Sequence, residues 1–216
     1  MIGRLQRQHS ATYGLAGDHD IRDFLITNRV LAQGIGQCAL PAGSGETLFV
    51  AEDDGELGMS LYLDEGLVTR VSARDLPDNL RRSALPEFCQ ILEGVSHFNC
   101  MAFKASHDRE VSLLELELQG EVDKFVVCMQ IAARHDDHDS VRHLHQWLFD
   151  NARFHAELGP CALERYRVAS DYAARFCRHL RPGLLDDTPA TIEELRHFFR
   201  LPVADKMSLI HSRCWQ

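Results

Sequence analysis

No stretch of the sequence approaches the roughly 18 apolar residues that a membrane-spanning helix needs. The opening MIGRLQRQHSATYG has no apolar core of the kind a secretory leader carries. None of the seven cysteines forms a C-x-x-C pair, which excludes a zinc ribbon and a thioredoxin-type redox motif. No G-x-S-x-G marks a nucleophile elbow, and no H-E-x-x-H marks a zinc protease. Gly34 and Gly36 stand in Gln33–Gln37 without the strand–G-x-G-x-x-G–helix context of a dinucleotide site. Basic runs are also missing. Arg4, Arg7 and the pair Arg81–Arg82 form no block and are not interleaved with aromatics. With 32 acidic against 23 basic residues the formal net charge is -9, so nothing draws the chain generally to nucleic acid or to an anionic membrane. There is no internal repeat and no low-complexity tract.

What is present describes a globular chain. Its 216 residues can bury roughly 70% of the surface the unfolded chain exposes, enough for a core without staples. Most of the cysteines fall in apolar helical patterns and read as buried reduced thiols, which points to a cytoplasmic protein. Residues 1–17 are polar and read as irregular. Asp18 and Asp20 are N-cap types, followed by Ile21, Phe24, Leu25, Val30 and Leu31 at helical spacing. The β signal is concentrated in Thr47–Val50 and in the alternation of Leu57, Met59, Leu61 and Leu63 around Asp53-Asp54-Gly55, a β-hairpin. Residues 67–73 supply a third strand or a short helix.

Beyond residue 76 the pattern is helical. Phe88, Ile91, Leu92, Val95, Phe98 and Ala102 share one face, and Ser112 with Glu115 gives the capping-box spacing for the next helix. The short break between them makes residues 86–134 an antiparallel αα-hairpin. Further helices are expected at 140–149, 160–180, 190–199 and 203–212, with Pro182-Gly183 ending the third helix from the end. The fold class is therefore α+β and predominantly α-helical. An N-terminal part (1–75), with a helix and two or three short antiparallel strands, is expected to pack on a helical bundle (76–216) as one compact unit.

Two groups of residues have metal-ligand chemistry. Glu93 and His97 lie four apart on the first hairpin helix, and Glu117 and Glu121 lie four apart on the second. Counting outward from a turn near residue 109 brings His97 level with Glu121 and places Glu117 one turn nearer the loop. Facing carboxylates and imidazoles on bundle helices hold iron, manganese or zinc. The competing reading makes Gln90, Glu93, Gly94, His97 and Lys104 a solvated face, and Glu117, Glu121 and Lys124 an exposed charge ladder. Gly94 argues against it: a mid-helix glycine costs about 1 kcal/mol relative to alanine, so it marks close approach of another backbone or a ligand. The second group is HDDHDSVRHLH, with His135 and His138 as weaker metal candidates. A last cluster, from Tyr166 to His179 and from Arg196 to Arg200, gives an acidic chain its most basic edge.

Two functions follow as expectations. One is a cytoplasmic partner-binding or regulatory helical protein without catalytic chemistry, engaging a protein partner or a second copy of itself. The other is a metal-binding bundle protein, or a metal-dependent enzyme, using Glu93, His97, Glu117 and Glu121.

Overall fold

The computed structural model describes residues 1–17, 19–36, 40, 45–54, 56–74, 82–150 and 159–214. Cys38, the loop at 41–44, Gly55 and the boundary read at residue 75 lie outside the described residues. The chain is predominantly helical with a small mixed sheet, as its sequence implies.

The helical hairpin forms the centre. Helix α4 (Leu85–Ala105) starts with Pro86 in its first turn, where the missing N–H costs nothing. Helix α5 (Leu113–Arg134) starts where the Ser112 hydroxyl accepts from Glu115 N at 3.1 Å. It is buried on every side, against α4, α6 (His138–His145) and the long α7 (Pro160–Leu185). A helix enclosed on all sides cannot keep a polar stripe in water. Glu115, Glu117, Gln119, Asp123 and Lys124 are therefore buried and must find partners inside. Helices α8 (Pro189–Arg200) and α9 (Val203–Cys214) complete the bundle.

The N-terminal part departs from its sequence reading. Residues 2–13 form a helix, α1 (Ile2–Tyr13), where an irregular segment is expected. Its buried positions are Ile2, Leu5, His9, Thr12 and Tyr13, so two of the five are polar and interrupt the apolar period. Gly14, at φ 62°, ends it in the left-handed conformation. The single helix expected after Asp20 is divided. Asp20 caps a 3-10 turn (Ile21–Phe24), β1 follows (Leu25–Ile26), and the Asn28 side chain accepts from Leu31 N at 3.0 Å at the start of α2 (Arg29–Gly36).

The hairpin is as read: β2 (Glu46–Asp53) pairs antiparallel with β3 (Glu56–Leu63), from Glu46↔Leu63 to Asp53↔Glu56. Asp54, at φ 49°, takes the left-handed position at its tip. The third strand is β1, parallel to β3 through Leu25↔Leu61 and Ile26↔Tyr62. Residues 65–72 instead form α3 (Glu65–Ser72), with Asp64 accepting from Leu67 N at 2.8 Å. Helix α7 runs past Pro182-Gly183 to Leu185, because a proline in the last turn removes only one late hydrogen bond. One cluster of buried apolar side chains extends from Ile2 on α1 through Leu61 and Leu63 on β3 to Ile210 on α9.

Candidate metal centre

Gly94 lies on α4 where the β-hairpin crosses it. A Cβ built there would stand 2.8 Å from Glu46 Cγ and 3.1–3.2 Å from Leu63 and Leu61 methyls. The first distance is shorter than real Cβ contacts and the others are tight, so the glycine lets β2 and β3 seat against the helix. The first residue of β2, Glu46, thereby reaches His97, with Oε1 3.4 Å from Nδ1.

A second glycine faces the same imidazole. Gly120 lies on α5 between Glu117 and Glu121, and a Cβ there would stand 3.2 Å from His97 Nε2 and 3.7 Å from Glu93 Cγ. The ring fills space that any other residue would crowd. One donor atom from each of Glu93, His97 and Glu117 lies within 4.8 Å of the other two. Among the described residues this is the one group of three such donors. His97 and Glu117 are buried and Glu93 is half-buried. His97 Nε2 is enclosed and has no hydrogen-bond partner. A buried unsatisfied nitrogen costs about 1–3 kcal/mol, and Glu46 beside Nδ1 directs the ring so that this nitrogen is the one left unpaired.

Cations border the carboxylates. Lys124 Nζ lies 2.8 Å from Glu121 Oε1 and 3.3 Å from Glu93 Oε2. Arg165 Nε, on α7, lies 3.5 Å from Glu117 Oε1, and the Tyr166 hydroxyl hydrogen-bonds Glu117. Burial opposes a charge on His97, yet Glu46, Glu93 and Glu117 outweigh it and raise its pKa to about 9. Burial, with Glu93 adding, pushes Glu117 up to about 7 against the pull of His97 and Arg165. Burial would lower the Lys124 pKa, but Glu121 and Glu93 raise it well above the usual lysine value. Burial and Glu117 together raise that of Tyr166.

The structure thus joins three of the four residues in the proposed set and separates the fourth. Glu121 turns to Lys124 instead of His97. The readings of a solvated face and an exposed ladder are corrected: Gly94, His97, Lys104, Glu117 and Lys124 are all buried. Glu46 has no signal in the sequence, because its position on β2 makes it a neighbour of His97 only once the hairpin docks. Tyr166 belongs to the basic, aromatic edge read on α7, whereas Arg165 has no signal in the sequence; both turn inward to Glu117. His135 and His138 are exposed, one following α5 and one opening α6. His143 turns back to Asp139, and His145 Nε2 lies 2.8 Å from the Ala174 carbonyl oxygen, so the ring directions diverge.

A second buried polar cluster lies deeper. Asp123 accepts from the Tyr13 hydroxyl, from Ser96 Oγ at 2.5 Å and from Gln119 Nε2 at 2.9 Å, and lies 2.7 Å from His9 Nε2. Burial opposes the carboxylate charge, but His9, Ser96 and Tyr13 overcome it and lower its pKa. Lys206, on α9, donates to Gln119 Oε1 at 2.8 Å, and Lys104 meets Glu115 at 2.5 Å. Every lone-pair direction of Asp123 is taken, so this cluster ties α1, α4 and α5 together and leaves no place for a ligand. Cys89, Cys100, Cys128 and Cys177 are buried free thiols, and burial raises the pKa of Cys100 to about 11.

The chain matches no family model, no curated protein and no solved structure. The chemistry of the site rests on its own geometry.

Proposed function

We propose that this protein binds a divalent transition metal (zinc, manganese or iron) through His97 Nε2, Glu93 and Glu117. The observation that carries this reading is the enclosed, unpartnered Nε2 beside two carboxylates. Glu46 on Nδ1 supplies the outer carboxylate that commonly fixes the tautomer of a metal-binding histidine. Lys124 lies against Glu93 and Glu121, and Arg165 against Glu117. One imidazole and two carboxylates suit these metals, and three protein ligands leave a position for water or substrate, as catalytic sites do.

The test is metal binding by chelator-treated protein, followed by equilibrium dialysis and elemental analysis. One equivalent of zinc, manganese or iron is expected. His97→Ala and the paired change Glu93→Gln with Glu117→Gln should abolish it, while Glu121→Gln should retain it. Sub-stoichiometric binding by the wild type, or full binding by the paired variant, overturns the reading.

One observation favours the partner-binding reading alongside it. On α2, Val30, Leu31 and Ile35 are exposed at 77%, 56% and 46%. Apolar side chains gathered on one short helix mark association surfaces. Sedimentation of wild type and Leu31→Glu tests self-association: a dimer that the variant dissolves supports it, and a monomer in both removes it.

A further inference from the structure

On the side of α4 away from the metal centre, α1 and α4 enclose a groove of about 680 Å³. That volume lies within the range of small-molecule sites. Its floor includes Asn99, which is 5% exposed, and its far wall includes the turn after α1. Asn99 is held from both ends. Its Nδ2 lies 3.0 Å from His9 Nδ1, and its Oδ1 accepts from Gln6 Nε2 at 3.3 Å. Gln6 also donates to the His19 carbonyl oxygen at 2.8 Å and accepts from Ile21 N at 3.1 Å, which fixes the segment closing the groove. Through His9 this floor is tied to Asp123 and the core, so the shape is present before any ligand arrives.

The lining runs against the charge of the whole chain. Arg7, Arg200, His19 and His107 line the groove of a protein whose formal net charge is -9. The acidic residue among the lining side chains, Asp20, is neutralised by Arg22, whose Nε lies 2.9 Å from its Oδ1. Arg200 is held over the Phe103 ring, 5.6 Å from its centroid, by a bond from Nη1 to the Arg196 carbonyl oxygen. Arg22 by hydrogen bonding and, through space, Arg7 lower the pKa of Asp20. Phe103, Ala102 and Leu15 add apolar surface beside these cations.

We propose that this groove binds a small organic anion with an apolar or aromatic body. Its carboxylate, sulfonate or phosphate meets Arg7 and Arg200, and its body lies against Phe103 and Ala102. The site uses no residue of the metal centre and does not rest on that reading.

Anilinonaphthalene sulfonate is a suitable probe, read by fluorescence, with N-phenyl-1-naphthylamine as its uncharged counterpart. Saturable binding of the sulfonate at one site is expected. Arg7→Glu should weaken it at least fivefold and leave the uncharged dye unchanged, and Ala102→Trp should remove both. Leu31→Ser, on the exposed face of α2, serves as a control and should change neither. Absence of saturable binding, equal affinity in Arg7→Glu, or loss in Leu31→Ser in place of Ala102→Trp would overturn the proposal.

Discussion

Replacing Gly120 with alanine separates stability from metal binding. The substitution puts a methyl 3.2 Å from His97 Nε2 and 3.7 Å from Glu93 Cγ. Alanine is favoured over glycine in a helix interior by about 1 kcal/mol. Against that, the imidazole must move by a few tenths of an ångström while Glu46 holds its other nitrogen. A ring turned about 30° off its rotamer costs about 0.5–1.5 kcal/mol, which bounds the cost of this smaller shift. The two effects nearly cancel, so the metal-free variant should unfold within about 1 kcal/mol of wild type, a shift of about 2–4 °C at this chain length. Coordination is less forgiving, because bond lengths must hold to about 0.2 Å. A displaced Nε2 should weaken zinc or manganese binding by about ten- to a hundredfold, the loss typical of disturbed support around a ligand. Thermal unfolding in chelator and competition titration with a metal indicator measure the two quantities on one sample. Unchanged metal affinity, with unfolding shifted as described, would show that Nε2 is not a ligand.

Asp123→Asn removes a carboxylate that four side chains surround. Breaking a buried charged network typically costs about 3–5 kcal/mol, which urea denaturation should register as a lower midpoint with an unchanged slope. Because the Asp123 pKa is lowered from 3.8 in the folded state, its stabilisation is complete above that value and is lost as pH falls through the folded pKa. Acid unfolding of Asp123→Asn should therefore be shallower below pH 4 than that of wild type. For metal-free protein, the His97 pKa raised from 6.5 to about 9 gives stabilisation that is full below pH 6.5 and declines up to about pH 9. Melting temperatures should fall across that interval, and Glu46→Gln should flatten the fall; a flat profile in wild type would contradict the ion pair. A thiol reagent such as dithionitrobenzoate should modify exposed Cys161 readily in native protein, and Cys89, Cys100, Cys128 and Cys177 only after unfolding.

The residues of the hairpin show which parts of this fold the sequence discloses. The apolar stripes of α4 and α5 and the Ser112 cap are local signals, and the two helices run from Leu85 to Arg134 against the expected 86–134. Antiparallel pairing about residue 109 puts His97 level with Glu121, one residue from the Gly120 that the ring meets, so the level of the site is legible. Which neighbour of Gly120 turns toward the ring is not, since Glu117 and Glu121 differ by one helical turn and their choice depends on Arg165 and Lys124. Exposure is misjudged for a related reason. Period 3.6 distinguishes a buried face from a wet one only when the helix has a wet one, and α5 is covered all round. Helix α1 is missed because His9 and Tyr13 are buried for their hydrogen bonds, which hydropathy counts against burial.

Lys206 gives the order of assembly a constraint. Its ammonium is fully buried in the middle of the bundle, against Gln119 and, at 3.5 Å, Glu115, although it belongs to the last helix described. Until α9 has been synthesised, the centre of α5 lacks one of the cations that compensate its acids. At the other end, His9 and Tyr13 wait on Asp123. A nascent chain can form the α4–α5 hairpin early, but its interior stays incomplete until α9 has left the ribosome. Removing residues 203–214 should therefore leave a collapsed, aggregation-prone chain and not a smaller folded protein.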